Sequence, residues 1–167
     1  MKTIATALDR LGRNVKLVTT IIFLASVSLN FANIFGRYFL SAPIEWGEEV
    51  MLFMMVGMVF FGAVVISAQG RHIRMDLLIM MMPAHIQRVL VGLGIFIEGA
   101  VAATIVWIGI PVIDDLIAFD QRAEASGLPL AIPQAIVPIG LTLITLTCAA
   151  RLVLLAGGGT LVVNGGE

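Results

Sequence analysis

The sequence contains few of the residues from which catalytic and metal sites are built. Among its 167 residues are one cysteine, one tyrosine and two histidines, and charged side chains make up only 13%. Cys148 has no second cysteine with which to form a disulfide or a metal site, so the redox compartment cannot be inferred from it. No basic arm or stripe of lysine and arginine interleaved with aromatics is present, which argues against nucleic-acid binding. We therefore expect no catalytic centre, no cofactor and no nucleic-acid partner.

Charge is missing in particular from four long apolar segments, within which Glu98 is the only charged residue. A helix of about 20 predominantly apolar residues can cross a hydrocarbon core about 30 Å thick. The segments are too long and continuous for barrel strands, and lipid cannot satisfy an open backbone. The sequence therefore predicts an all-α integral membrane protein, a single domain over residues 1–167 with four transmembrane helices. The predicted spans are residues 17–36, 50–70, 89–113 and 125–150.

The residues ahead of the first span predict a short amphipathic helix. Ile4, Leu8, Leu11 and Val15 recur at helical spacing, and basic residues occupy much of the remaining surface. Such a helix lies in the cytoplasmic interface of the membrane, and a disordered basic tail is the alternative. The following apolar run is about twice the length of a signal-peptide core, so we expect it to remain uncleaved.

The distribution of lysine and arginine predicts the orientation. The N-terminal segment, the second connection and the C-terminus together hold eight of these residues, whereas the first and third connections hold two, Arg37 and Arg122. Basic residues concentrate on the cytoplasmic side of short connections, so both ends are predicted to be cytoplasmic. Trp46 and Trp107 would then lie near the outer interface, where indole rings prefer to lie.

Three motifs stand at the ends of the first two spans. Asn33 to Tyr38 read Asn-x-x-x-Arg-Tyr, Trp46 to Glu49 read Trp-x-Glu-Glu, and His72 to Asp76 read His-Ile-Arg-x-Asp. In this order the motifs resemble the small membrane subunit, the DctQ type, of tripartite ATP-independent periplasmic (TRAP) transporters. The detailed resemblance covers Asn33 to Pro83, and residues 84–167 agree only in length, hydropathy and helix count.

The resemblance implies a subunit of a three-part importer in the bacterial inner membrane. A periplasmic solute-binding protein delivers a carboxylate-bearing solute, and a large permease subunit moves it with an ion gradient, typically of sodium. The small subunit joins the large one and enlarges its static scaffold. The transported solute is chosen by the other two components and cannot be inferred from this chain.

The polar residues of the first connection have two compatible interpretations. Glu45, Glu48 and Glu49 are predicted to occupy the first turn of the second helix, where the helix dipole favours acidic groups, and Trp46 can anchor that turn at the headgroups. Alternatively the three carboxylates form a docking or ion-pairing surface with Arg37. The candidate interface residues of this region are Arg37, Tyr38, Glu45, Trp46, Glu48 and Glu49.

A second candidate interface follows the second span, at Arg71, His72, Arg74 and Asp76. Basic residues at a cytoplasmic helix end contact anionic lipid headgroups, so these residues are predicted to touch membrane lipid. A specific contact with a partner subunit is the alternative.

Glu98 is costly within a span, because an acidic side chain at a helix centre is disfavoured by about 2.5–3.5 kcal/mol. Gly94, Glu98 and Ala102 share a helical face whose small residues permit close approach of another helix. We therefore expect Glu98 to form an interhelical hydrogen bond or ion pair that maintains packing. The alternative is an ion-coupling carboxylate of a stand-alone small multidrug-type exporter. A haem-binding or quinone-binding bundle is disfavoured, because His72 and His85 lie outside the spans.

Overall fold

The computed structural model describes residues 2–69 and 83–156, and these form four long helices. The helices are α1 (Lys2–Phe39), α2 (Gly47–Gln69), α3 (Ala84–Ala118) and α4 (Ala131–Ala156). Each contains a stretch long and apolar enough to cross a membrane. No named strand occurs in the described residues, and the prediction of an all-α protein with four membrane spans is confirmed.

The helices are arranged as a row rather than as a closed bundle. α1 packs against α2, α2 packs against α4, and α4 packs against α3, whereas α1 touches α4 only marginally. α1 and α3 are therefore the outer helices. In the most apolar part of α1 only 6% of the residues are buried, compared with 39% in α4. Most of the apolar surface of the outer helices consequently faces lipid or another protein.

The interior lies where α2, α3 and α4 meet. Val64 of α2, Ile95 and Ala102 of α3, and Leu141 and Ile144 of α4 are almost completely buried there. Small residues allow these helices to approach closely. A Cβ placed on Gly140 would lie 2.9 Å from the Cβ of Phe60, and one on Gly99 would lie 3.1 Å from the Cβ of Cys148. Close packing at glycine is the expected way for helices to associate in lipid, where no hydrophobic driving force acts between them.

The N-terminal segment does not form a separate helix. Residues 2–16 continue without a break into the first span, and the whole helix has 38 residues. At 1.5 Å per residue its length is about 57 Å, so it extends well beyond a hydrocarbon core. Val15 of the predicted apolar face belongs to the buried core, and Leu11 packs against that core. A Cβ on Gly12 would lie 3.5 Å from the Cβ of Ala68 in α2. Location of this segment in the membrane interface stays a prediction.

The fourth helix begins later than the sequence indicated. α4 starts at Ala131 instead of residue 125, because the preceding residues form a hairpin. Arg122 and Pro129 form an isolated antiparallel bridge, and the N–H of Ala123 donates to the carbonyl of Leu128 at 2.9 Å. Gly127 has a φ of 67°, in the left-handed region that glycine adopts most readily. The hydrogen bonds of the hairpin occupy backbone N–H and carbonyl groups that the first turn of a helix starting at residue 125 would have needed.

Candidate functional site

The connection between α1 and α2 is held by a buried amide. Asn33 is only 5% exposed, and its side-chain oxygen accepts the N–H of Ile44 at 3.0 Å. The carbonyl of Gly36 accepts the N–H of Ala42 at 3.0 Å, and a Cβ on Gly36 would lie 2.7 Å from the oxygen of Ala42. Any larger residue at position 36 would displace the connection. The Asn-x-x-x-Arg-Tyr motif therefore has a structural basis in its asparagine and in the glycine within it.

An exposed ion pair joins the same two helix ends. The guanidinium of Arg37 donates to the carboxylate of Glu48, which begins α2, and both side chains are more than half exposed. Exposed ion pairs contribute little to the free energy of folding. The main effect of this pair is to link the end of α1 to the start of α2. Arg37 thus pairs with one of the three carboxylates, and a docking surface formed by this group stays a prediction. Tyr38 is 77% exposed, and Glu45 and Trp46 are exposed as well.

Glu49 has a different role from its neighbours. Its carboxylate accepts the N–H of Ser126 at 2.7 Å, and the N–H groups of Glu124 and Ala125 also face it. A carboxylate that receives several backbone N–H groups is a strong anchor. Glu49 therefore attaches the start of α2 to the hairpin between α3 and α4. Sequence reasoning missed this contact, since the only local signal was Ser126-Gly127 in a segment assigned to a helix.

The hairpin carries a second exposed ion pair. Arg122 donates to both carboxylate oxygens of Asp120, at 3.0 and 3.2 Å. The hydrogen bond and the negative charge of Asp120 raise the pKa of the Arg122 guanidinium above its ordinary value, so it stays charged. With Arg37 and Arg122 both paired to acids, the polar surface at this end of the helices is dominated by carboxylates.

A polar cluster lies between α2, α3 and α4, toward the end of the helices opposite to the connection between α1 and α2. Ser67 of α2, Cys148 and Arg151 of α4 are at most 3% exposed, and Glu98 of α3 is half-buried beside them. Arg151 donates to the backbone carbonyl of Ser67 at 3.1 Å, and the Ser67 hydroxyl lies 3.8 Å from the Cys148 sulfur. The Cys148 thiol hydrogen-bonds to Glu98 and lies within the electrostatic reach of Arg151. An acidic and a basic side chain thus meet at one thiol between three helices.

Three residues of α3, Gly94, Glu98 and Ala102, were predicted to maintain the packing of the third span. Ala102 is 3% exposed and belongs to the core, and Glu98 faces α4. Gly94 lies on an exposed part of α3 with no described atom within 4 Å of a Cβ at that position. The close helix contact occurs at Gly99 instead, because the packed face is centred about one residue further around the helix. Arg151 entered the sequence analysis only in the count of basic residues that predicts the orientation, and its burial was not foreseen.

The remaining candidate residues, Arg71, His72, Arg74 and Asp76, lie outside the described residues. Within residues 2–69 and 83–156, no group of three or more histidine, cysteine or acidic residues is placed to hold a metal ion.

Four apolar helices with polar connections define a multi-pass helical membrane protein. Residues 26–158 match the model of the family described as tripartite ATP-independent periplasmic transporters, DctQ component. The chain therefore belongs to the family of DctQ-type small membrane subunits of TRAP transporters. This family consists of transporter components and not of enzymes. The match includes α2, α3, α4 and the last part of α1, whereas the motifs covered only residues 33–83. A comparison with curated proteins found no match.

Proposed function

We propose that this chain is the small membrane subunit that braces the large permease subunit of a TRAP transporter in a bacterial inner membrane. The complex takes up a carboxylate-bearing solute, delivered by a periplasmic solute-binding protein, with an ion gradient that is typically of sodium. The observation that carries this proposal is the family match over residues 26–158. The chain itself performs no catalysis and selects no solute.

The packing of the helices supports a bracing role. α1 and α3 bury only 6% and 11% of their most apolar stretches within the chain. A row of helices has two broad faces and two free edges, so it can cover a large partner without enclosing a pathway of its own. Between the described helices, Arg151 donates to the Ser67 carbonyl and Glu98 contacts the Cys148 thiol, so these polar groups serve contacts within the chain.

The proposed contact surfaces are the two helix ends. At the periplasmic end, Glu45, Trp46 and Glu48 are exposed, whereas Glu49 is occupied by the hairpin. We expect Glu45 and the exposed Arg37–Glu48 pair to meet the permease or the binding protein. At the cytoplasmic end, the sequence predicts that Arg71, His72, Arg74 and Asp76 contact lipid headgroups or the permease.

A pull-down with a tag on this chain tests the proposal. We expect a much larger multi-span subunit to co-purify, and solute uptake in reconstituted vesicles to require both chains and the binding protein. A homodimer of this chain that transports when reconstituted alone would contradict the proposal and favour the small exporter.

A further inference from the structure

A groove of about 420 Å³ runs between α1 and α2. Its lining is apolar except at one end, where a lysine and threonines stand. A Cβ placed on Gly62 would have no described atom within 4 Å, so the floor of the groove is open. The lining includes Lys16, Thr20 and Phe23 of α1 and Met58, Gly62 and Ile66 of α2.

The charged end of the groove lies at headgroup depth. Lys16 precedes the end of α1 at Phe39 by 23 residues, or about 35 Å along a helix. A hydrocarbon core is about 30 Å thick, so when Phe39 lies at one boundary Lys16 lies just beyond the other. No ion pair joins Lys16 to an acidic side chain within the part of the chain that the structure describes. Its ammonium is therefore available to an anion from the membrane.

Thr19 and Thr20, at the same end of the groove, carry no charge that would compete with Lys16 for an anion. Thr19 and Thr20 donate to the carbonyls of Val15 and Lys16, at 2.8 and 2.9 Å. Their hydrogen bonds are satisfied within α1, and their outer surface is compatible with both a headgroup and a hydrocarbon chain. From there Phe23 and Met58 continue the groove toward the membrane centre, whereas Ile66 lies near the lysine end, since Gly12 faces Ala68 and Gly57 faces Ile22.

We propose that this groove binds an anionic glycerophospholipid, whose phosphate contacts Lys16 and whose acyl chain lies between α1 and α2. Lys16 at the headgroup end of an apolar groove is complementary to a molecule with an anionic head and an apolar tail. A transmembrane helix of a partner would instead have to supply an acidic group at headgroup depth. The site does not depend on the transport role of the chain, because its parts all belong to α1 and α2.

The test is lipid binding to the delipidated full chain, and to its complex with the large subunit where this co-purifies. Phosphatidylglycerol or phosphatidylcholine is added, and bound lipid is counted by native mass spectrometry. We expect wild-type protein to prefer phosphatidylglycerol, Lys16→Gln to bind it about fivefold more weakly, and Gly62→Leu to lose it. Because Gly62 has open space above it, the Leu variant should keep the wild-type melting temperature.

Two matched variants control for charge and for size. Arg10→Gln removes a cation of α1 that does not line the groove, and Gly109→Leu fills another glycine with no described atom within 4 Å of a Cβ. Both should bind phosphatidylglycerol like wild type. Equal binding of the two lipids, or unchanged binding by Lys16→Gln, would overturn the proposal. A photo-crosslinker at Met58 that captures the large subunit instead of lipid in the complex would overturn it as well.

Discussion

At the scale of single residues, neighbouring carboxylates in one motif do different work. Glu48 pairs with Arg37 on the surface, whereas Glu49 receives backbone N–H groups from the distant hairpin. The two residues are adjacent in α2, but their side chains point about 100° apart around the helix. The Trp-x-Glu-Glu motif therefore combines an outward-facing group with a structural anchor.

Glu49→Gln should loosen the hairpin, because a neutral amide accepts backbone N–H groups less strongly than a carboxylate. We expect hydrogen exchange at the Ser126 amide to become roughly tenfold faster. The control is Glu45→Gln, which alters an exposed carboxylate near the same helix start. Unchanged exchange in Glu49→Gln, or equal acceleration in both variants, would show that Glu49 does not hold the hairpin.

At the scale of secondary-structure elements, contacts between helices depend on a few small residues. The contact of Gly140 with Phe60 joins α4 to α2, and the contact of Gly99 with Cys148 joins α3 to α4. These two contacts connect three of the four members of the row.

Gly140→Leu should separate α2 from α4, because the added side chain has no room beside Phe60. Overpacking of this kind costs about 1–3 kcal/mol. The thermal unfolding of the purified variant in detergent measures the loss. Gly109→Leu introduces the same side chain where no described atom is within 4 Å of a Cβ, so its unfolding should resemble that of wild type. Equal destabilisation of the two variants would contradict the packing assigned to Gly140.

The polar cluster yields a prediction about helix pairing. Arg151→Met removes the donor to the Ser67 carbonyl and the cation beside the Cys148 thiol, which Glu98 also contacts. A buried carbonyl left without its donor costs about 1–3 kcal/mol, so we expect Arg151→Met to unfold more easily than wild type. Glu98→Gln alone should leave transport by the complete complex largely intact, and Glu98→Gln added to Arg151→Met should recover part of the stability.

Unfolding of the four proteins in this double-mutant cycle measures the coupling between the two residues. Strictly additive effects would show that Glu98 and Arg151 act independently. Complete loss of uptake in Glu98→Gln, with normal assembly, would instead favour an ion-coupling role for Glu98.

At the scale of the whole molecule, the orientation in the membrane remains a prediction from the distribution of charge. A periplasm-active reporter fused after Ile44 should be active, and one fused after Gly70 should be silent, because basic residues stay on the cytoplasmic side. Comparable expression of both fusions is the control. The reverse pattern of activity would invert the topology.

The sequence alone was sufficient for the fold class and the family. Four long apolar segments with Glu98 as their single charge permit little besides membrane-spanning helices, because an unpaired backbone is too costly in lipid. The three motifs between Asn33 and Asp76 indicated the DctQ family, which the match over residues 26–158 confirms. These features are local in the chain and can therefore be recognised without knowing which helices are neighbours.

Only the tertiary structure determined which polar groups meet. Glu49 and Ser126 are 77 residues apart, and Ser67 and Arg151 are 84 residues apart. Helical periodicity identifies a face but not the helix that faces it, so Gly94 was expected in a contact that Gly99 makes. The row of helices, the hairpin before α4 and the burial of Arg151 all arise from packing between distant segments, and this packing decides which charges remain available to partners.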